Sequence, residues 1–337
     1  MLDELIELER IIEEGSPHLR VRSLCRVETG AHTFPVYALS LGSGNPGAPA
    51  VGFFGGIHGL ERIGTHVLLA YLGSLVARLR WDDVLHRQLE QVRLVFMPLI
   101  NPGGMSRRMR CNPNGVDLMR NAPVDAVGRV PFLLGGQRIS ARLPWYRGAA
   151  DAPMQIESQA VCRTVEQELL GAEFSIALDC HSGFGLLDRI WFPHAHTATP
   201  IRHLAEIHAL KDLFDRTCPH HDYLFEPQSR QYLAHGDLWD YLYLKALGER
   251  RRVFLPLTLE MGSWRWVKKS PRQMFSRLGI FNPLPRHRLH RVLRRHLVWL
   301  DFLTRAASAW RNWIPTAETR MQHRQAAVQR WYRDTAP

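Results

Sequence analysis

Two imidazoles and a carboxylate stand in this chain at spacings that could hold a metal: His58-Gly-Leu-Glu61, and far downstream His181. Such a set fills three positions of a tetrahedral zinc and leaves the fourth for water, the arrangement of a hydrolytic rather than a structural site. The HxxE spacing is weak evidence alone, and the chain holds a second copy, His203-Leu-Ala-Glu206. Context separates the two. His203 lies in the continuous helical pattern PIRHLAEIHALKDLF and reads as an ordinary surface pair on a helix. His58 follows APAVGFFGG, a short apolar run bounded by glycines, which reads as a buried strand ending in a tight loop. Beyond it Val67, Leu68, Tyr71, Leu72, Leu75, Val76 and Leu79 recur at helical spacing, so Glu61 opens a helix. Strand ends outside a sheet are where open α/β folds build their sites.

His181 has a similar setting, because EFSIALDCHSGFG reads as a second buried strand running into a glycine-bearing loop. A lone histidine there is more often a satisfied core residue; beside His58 and Glu61 it completes the ligand set. Period-two alternation sends Cys180 to the opposite face, as a buried structural cysteine. Amide hydrolysis further needs a nucleophile at neutral pH, a proton shuttle and a partner for the developing oxyanion. A bound Zn²⁺ lowers the pKa of its water from above 15 to about 7 and acts as a Lewis acid. A carboxylate beside that water takes its proton and passes it to the leaving amine. Glu260 ends the apolar run RVFLPLTLE, at the rim of a dry sheet where its pKa can be tuned. Strand-end glutamates are commonly plain surface residues, so the pattern leaves both readings open. Arg107, Arg108, Arg110 and Arg120 offer paired donors suited to carboxylates and oxyanions. A solvated basic face is the default for such a run.

In order and spacing these motifs resemble the zinc carboxypeptidases of the carboxypeptidase A type, nearest to small bacterial members without a signal peptide. The similar stretch runs from about Gly55 to Gly262, through FFGGIHGLERIG, NPGGMSRRMRCNPNGVDLMRN, LDCHSG and TLEMGS. The resemblance implies one zinc held by His58, Glu61 and His181, and Glu260 as general base. Arg110 is similar in position to the arginine that polarises the scissile carbonyl, and Arg120 to the one that holds the substrate's terminal carboxylate. Asp117 resembles the acid that orients the first zinc histidine, a role metal-bound imidazole also asks for on physical grounds. Tyr232, in YLAHGDLWDY, resembles the family's mobile tyrosine. Two positions depart: Met119 replaces the asparagine before the carboxylate-binding arginine, and Gly103 replaces the aspartate of NPDG. More distantly the chain resembles the succinylglutamate desuccinylase and aspartoacylase group, which shares HxxE and a later histidine but lacks the full NGVDLNRN-like block. The expected function is therefore a zinc metallopeptidase of carboxypeptidase type, acting on a peptide or acylated amino acid. Deacylation of an N-acyl amino acid is the alternative, and a non-catalytic binding protein on the same fold stands behind it.

The elements that must position these residues read as a helix over 3–14, strands near 20–29, 34–41 and 49–54, then helices and strands alternating to about 280. That order predicts an α/β fold: a mixed, mostly parallel twisted sheet with helices on both faces, followed by C-terminal helices. Residues 1–285 read as the catalytic domain and 286–337 as a basic helical extension packed on it. The net charge is +11, and the last 52 residues carry 11 Arg against Asp301, Glu318 and Asp334. In that tail Leu289, Val292, Leu293, Leu297, Leu300 and Leu303 recur at helical spacing, then Met321, Val328 and Trp331. Two amphipathic helices with arginines outward follow. No aromatic platform or recognised motif accompanies the charge, so no nucleic-acid partner is expected. No apolar run approaches 18 residues and the first 16 read as an acidic amphipathic helix rather than a signal peptide, so no membrane is expected. Five scattered cysteines make no disulfide framework, and a cytoplasmic location is the expectation.

Overall fold

Ala50–Gly55 (β3) and Phe174–Ser182 (β5) are buried at every residue, as near-continuous apolar strands of a parallel sheet covered on both faces should be. The computed structural model describes residues 2–248 and 252–333. Its other strands are Arg20–Thr29 (β1), His32–Gly42 (β2), Arg93–Met97 (β4), Arg189–Phe192 (β6), Leu224–Pro227 (β7) and Val253–Met261 (β8). All eight form one sheet in the order β1-β2-β4-β3-β5-β8-β6-β7. The pairings of β3 with β4, β3 with β5, β5 with β8 and β6 with β7 are parallel; the other three are antiparallel.

The helices are Asp3–Gly15 (α1), Arg62–Arg78 (α2), Asp83–Gln91 (α3), Pro102–Ser106 (α4), Ile156–Glu168 (α5), Leu204–Thr217 (α6), Leu238–Ala246 (α7), Trp264–Lys269 (α8), Arg286–Ser308 (α9) and Ala317–Trp331 (α10). One layer joins α2 to α1 and α9; another pairs α5 with α7. All seven apolar residues expected along α2 are buried. The expected helix and the first three strands lie where the patterning put them, within two residues at each end.

Parallel register brings the chemistry to one edge. Gly55 of β3 lies opposite Cys180 of β5, and His181 lies opposite Glu260 of β8. The loop bearing His58, the end of β5 and the end of β8 are therefore neighbours at the carboxyl ends of three adjacent parallel strands. Gly64 draws α2 against that edge: a Cβ there would lie 2.2 Å from the Cys180 carbonyl oxygen. Cys180 itself is buried, and burial pushes its thiol well up.

Two expectations outside the site are corrected. His203 and Glu206 are not a surface pair: both are buried, because α10 packs over α6 and supplies Arg320 as partner to Glu206. His203 bonds the Tyr243 hydroxyl at 3.0 Å and joins no metal-competent group among the described residues. In the tail, α9 buries Val292, Leu300 and Leu303 in the same cluster as the sheet, around Trp299. In α10 Trp331 is buried as the spacing predicts, but Met321 is 61% exposed and Val328 37%, and Ala327 is the other residue through which the helix docks. Nor do all the arginines face outward alone, since Arg295 pairs with Asp188 at 2.9 Å. Residues 334–337, including Asp334 of the expected extension, lie outside the described residues.

Candidate active site

The loop between Gly55 and α2 turns His58 and Glu61 back over the end of β5. There His58 Nδ1 lies 2.9 Å from Glu61 Oε1, and His181 Nδ1 lies 3.1 Å from Glu61 Oε2 and 3.2 Å from His58 Nδ1. All three residues are buried. Each imidazole turns its other nitrogen to a buried carboxylate: His58 Nε2 to Asp117 at 3.0 Å, His181 Nε2 to Asp179 at 2.7 Å. A carboxylate fixes a proton on the nitrogen facing it, which leaves the two Nδ1 lone pairs converging with Glu61. Ligand atoms about 2.0–2.1 Å from a tetrahedral zinc stand roughly 3.3 Å apart, close to the spacing seen here. The charges agree. Burial alone would raise Glu61, but the attraction of His58 and hydrogen bonds from both histidines hold it far below its usual range. Burial alone would lower His181, but Asp179 and Glu61 raise it well above the usual imidazole value. The buried carboxylates demand positive charge at this point, a condition that a dication meets.

The wall beside the cluster comes from the segment 101–121. Asn112 folds its NPNG stretch into a turn, accepting on its side-chain oxygen from the amides of Asn114 and Val116, both at 3.1 Å. Gly115 completes the turn at φ +78°. Asp117 then caps the short turn Leu118–Arg120 through the Met119 amide, with the same Oδ1 that faces His58. The Gly103 departure has a steric account: a Cβ there would meet Pro113 at 2.5 Å and Val27 at 2.8 Å, so this chain has no room for a side chain.

A cavity of about 290 Å³ opens over the cluster, lined among others by Arg110, Met119, Arg120, Tyr232, Asp237 and Glu260. Arg110 donates from Nη1 to Glu61 at 3.0 Å and from Nε to Asp117 at 2.9 Å. Arg107 and Arg108 are exposed and do not line this cavity. Arg120 is buried; its Nη2 donates to the Tyr232 hydroxyl at 3.3 Å and its Nη1 lies 3.7 Å from Asp237 Oδ2. Gly236 allows that approach: at φ +71° it presents its backbone where a Cβ would lie 1.9 Å from the Arg120 carbonyl oxygen. Glu260 is buried and accepts from the Phe184 amide at 3.1 Å. Burial, then repulsion from Glu61, push its carboxyl up to about 8 against the pull of His181 and Arg110.

Two acids at the site were not singled out from the sequence. Asp179 shares the face of His181 because the two stand two positions apart in a strand, a signal available in LDCHS. Its Oδ2 also accepts from the Trp239 indole at 2.9 Å. Asp237 caps α7 from inside the tyrosine-bearing stretch, its Oδ1 accepting from the Trp239 and Asp240 amides at 3.0 Å each. Its carboxyl is pushed up to about 7 by burial and by Asp240, partly offset by Arg120.

The zinc carboxypeptidase family model matches residues 21–260. Carboxypeptidase SOL1 of Arabidopsis thaliana is 32% identical over 122 residues, covering 35% of this chain and 25% of that protein. The chain spans a quarter or less of the length of the curated relatives it matches. Among solved structures, thrombin activatable fibrinolysis inhibitor superposes with a TM-score of 0.67 at 17% identity, over 91% of this chain and 74% of that one. Carboxypeptidase A from Helicoverpa armigera gives 0.64 at 17% identity, over 90% and 71%. At such identities the likeness is one of fold.

Proposed function

The chain belongs to the zinc carboxypeptidase family, and from that premise we propose that it is a zinc-dependent hydrolase removing the C-terminal residue of a peptide. One observation carries the reading. The convergent His58, Glu61 and His181 share a cavity with a buried, proton-retaining glutamate and two arginines. A zinc would be held by His58, Glu61 and His181, oriented through Asp117 and Asp179. When bound it supplies Lewis acidity and a water of near-neutral pKa.

The remaining work belongs to side chains of this chain. Arg120 binds the substrate's terminal carboxylate as a permanent cation with paired donors, and Tyr232, already against its guanidinium, closes over the bound end. Arg110 is steadied by Glu61 and Asp117 through Nη1 and Nε, so Nη2 faces the scissile carbonyl and stabilises charge developing on its oxygen. Glu260 keeps one oxygen on the Phe184 amide; the other takes a proton from the attacking water and returns it to the leaving amine. Its raised pKa suits both steps, since a base poised near neutral pH also serves as an acid. Met119 contributes an apolar wall where a hydrogen-bonding partner of Arg120 would otherwise stand.

Residues 1–285 are read as the catalytic unit, with the later helices packed on it. No described helix is long and apolar enough to cross a membrane, and all five cysteines are unpaired; a cytoplasmic setting is part of the proposal. The test is turnover of zinc-loaded protein on three sets: peptides with free C-termini, the same peptides amidated, and N-acyl amino acids. Release of the last residue from the free-ended peptides alone is expected. Turnover confined to N-acyl amino acids would overturn the peptidase reading in favour of deacylation, and no turnover of any set would overturn both.

A further inference from the structure

A second group of metal-competent side chains lies away from the cavity, at the end of β6. His194, His196 and Asp240 each present a ligand atom within 4.8 Å of the others. His194 and His196 alternate in the sequence PHAH directly after β6, and Asp240 faces them from the first turn of α7. Asp240 is 1% exposed and His194 7%. The described ion pairs of Asp240 are with these two histidines, and its Oδ2 also accepts from the Ala195 and His196 amides at 2.8 and 2.7 Å, which leaves Oδ1 for an ion.

Two atoms of this group are buried without a hydrogen-bond partner: His194 Nδ1 and Asp240 Oδ1. They face each other across 4.0 Å, while His196 Nδ1 lies 2.5 Å from Asp240 Oδ2. A buried polar group left unsatisfied is costly, and two such atoms 4.0 Å apart call for a shared occupant. The 2.5 Å contact is a hydrogen bond of His196 to Asp240 Oδ2, so an ion would enter between His194 Nδ1 and Asp240 Oδ1, with His196 Nδ1 giving up that bond to join them. We propose that His194, His196 and Asp240 form a second site for a divalent transition cation, zinc foremost, separate from the three-residue cluster of the cavity. Two imidazoles and a carboxylate suit zinc and its late first-row neighbours rather than calcium or magnesium.

The placement also states what the ion does. The Ser229 amide donates to the His194 carbonyl at 3.0 Å and the Ala234 amide to the Ala195 carbonyl at 2.9 Å. The stretch carrying Tyr232 is thereby hung on His194 and Ala195. The Ala195 and His196 amides already tie the end of β6 to α7 through Asp240, and an ion would add the His194 ring to that tie.

Metal retention after gel filtration tests this without any activity assay. Wild type loaded with Zn²⁺ is expected to keep two equivalents, and His194→Ala or Asp240→Asn one. In a His58→Ala/His181→Ala background one equivalent should remain, and adding Zn²⁺ should raise its melting temperature. Adding His194→Ala to that background should abolish both. One equivalent in wild type, unchanged by His194→Ala or Asp240→Asn, would overturn the site. So would equal retention with and without His194, which would assign the ion to other histidines. The single variants carry the test if the multiple variants do not fold, and loss at this site leaves the reading of the cavity untouched.

Discussion

Asp237 should make substrate binding depend on pH, and Asp237→Asn should abolish the dependence. Its Oδ2 stands 3.7 Å from Arg120 Nη1, and the carboxyl titrates near 7 because burial and Asp240 disfavour its charge. At pH 6 roughly one carboxyl in ten is ionised and at pH 8 roughly nine in ten, as any group of that pKa requires. Ionised Asp237 competes with the substrate's carboxylate for the same guanidinium. A hydrogen bond to a charged group contributes about 1.5–3 kcal/mol, or roughly 10- to 150-fold in affinity. KM for a free-ended dipeptide substrate should therefore rise roughly 5- to 9-fold between pH 6 and 8, the protonated tenth that remains at pH 8 capping the loss. Asp237→Asn keeps the oxygen that caps α7 and removes the charge, so its KM at pH 8 should match wild type at pH 6.

Stability gives an independent reading of the same group. Its folded pKa lies above the ordinary value of 3.8, so its contribution is full below about 4 and is lost as pH rises through 7. The stability of Asp237→Asn relative to wild type should thus grow from pH 4 to pH 7 and then level off, as measured by denaturant unfolding. A variant that keeps the wild-type KM profile would refute the competition. A stability difference flat across pH would refute the raised pKa itself.

Other residues give sharper, single-step outcomes. His181→Ala should lose the catalytic zinc while the fold survives, because preformed strand ends hold the ligands; unchanged zinc content would sink the assignment. His203→Ala is its control, keeping zinc content but melting lower, since its ring is buried against Tyr243. Glu260→Gln should keep zinc and lose at least about 10²-fold in kcat, the usual contribution of a general base, and near-normal turnover would make Glu260 structural. Asp179→Asn should weaken zinc affinity by about 10- to 100-fold, read by competition with a chelator; an unchanged affinity would show that the 2.7 Å contact does not tune His181. Met119→Asn should tighten a plain C-terminal dipeptide by roughly 10-fold or more, one hydrogen bond to a charged group, and no change in KM would remove position 119 from the carboxylate site.

The ligand cluster was legible from sequence because its carriers announce themselves locally. A glycine-bounded apolar run precedes His58, a helical period follows Glu61, and His181 closes a second apolar run. Parallel pairing then brings such strand ends together without further specification. What escaped was tertiary. The period of α6 predicts an exposed side for His203 and Glu206, yet α10, more than a hundred residues later, covers that side and brings Arg320 to the glutamate. The same limit applies in α10 itself, where spacing put Met321, Val328 and Trp331 on the packed face but only Trp331 reaches it, edge-on against Phe192 of β6, with Ala327 beside it.

Asp179 and Asp237 escaped for a related reason: an acid in a motif is read by its neighbours in sequence, whereas its charge is set by its neighbours in space. Asp237 looks like any helix cap until Asp240 and Arg120 are placed around it. That placement also bears on Met119. On the proposed function, an arginine whose neutral partner is Tyr232, with no asparagine beside it and a carboxylate of its own opposite, binds a terminal carboxylate well only when Asp237 carries its proton. The methionine and the aspartate therefore act in the same direction, both weakening the grip on a simple C-terminus above neutral pH. Restoring the asparagine and removing the charge should add nearly independently, because one supplies a donor and the other removes a competitor. KM of the Met119→Asn/Asp237→Asn double variant at pH 8, compared with the two single variants, measures this. A double variant no better than the stronger single would mean that Arg120 has only one conformation in which to meet a carboxylate, reached equally by either change.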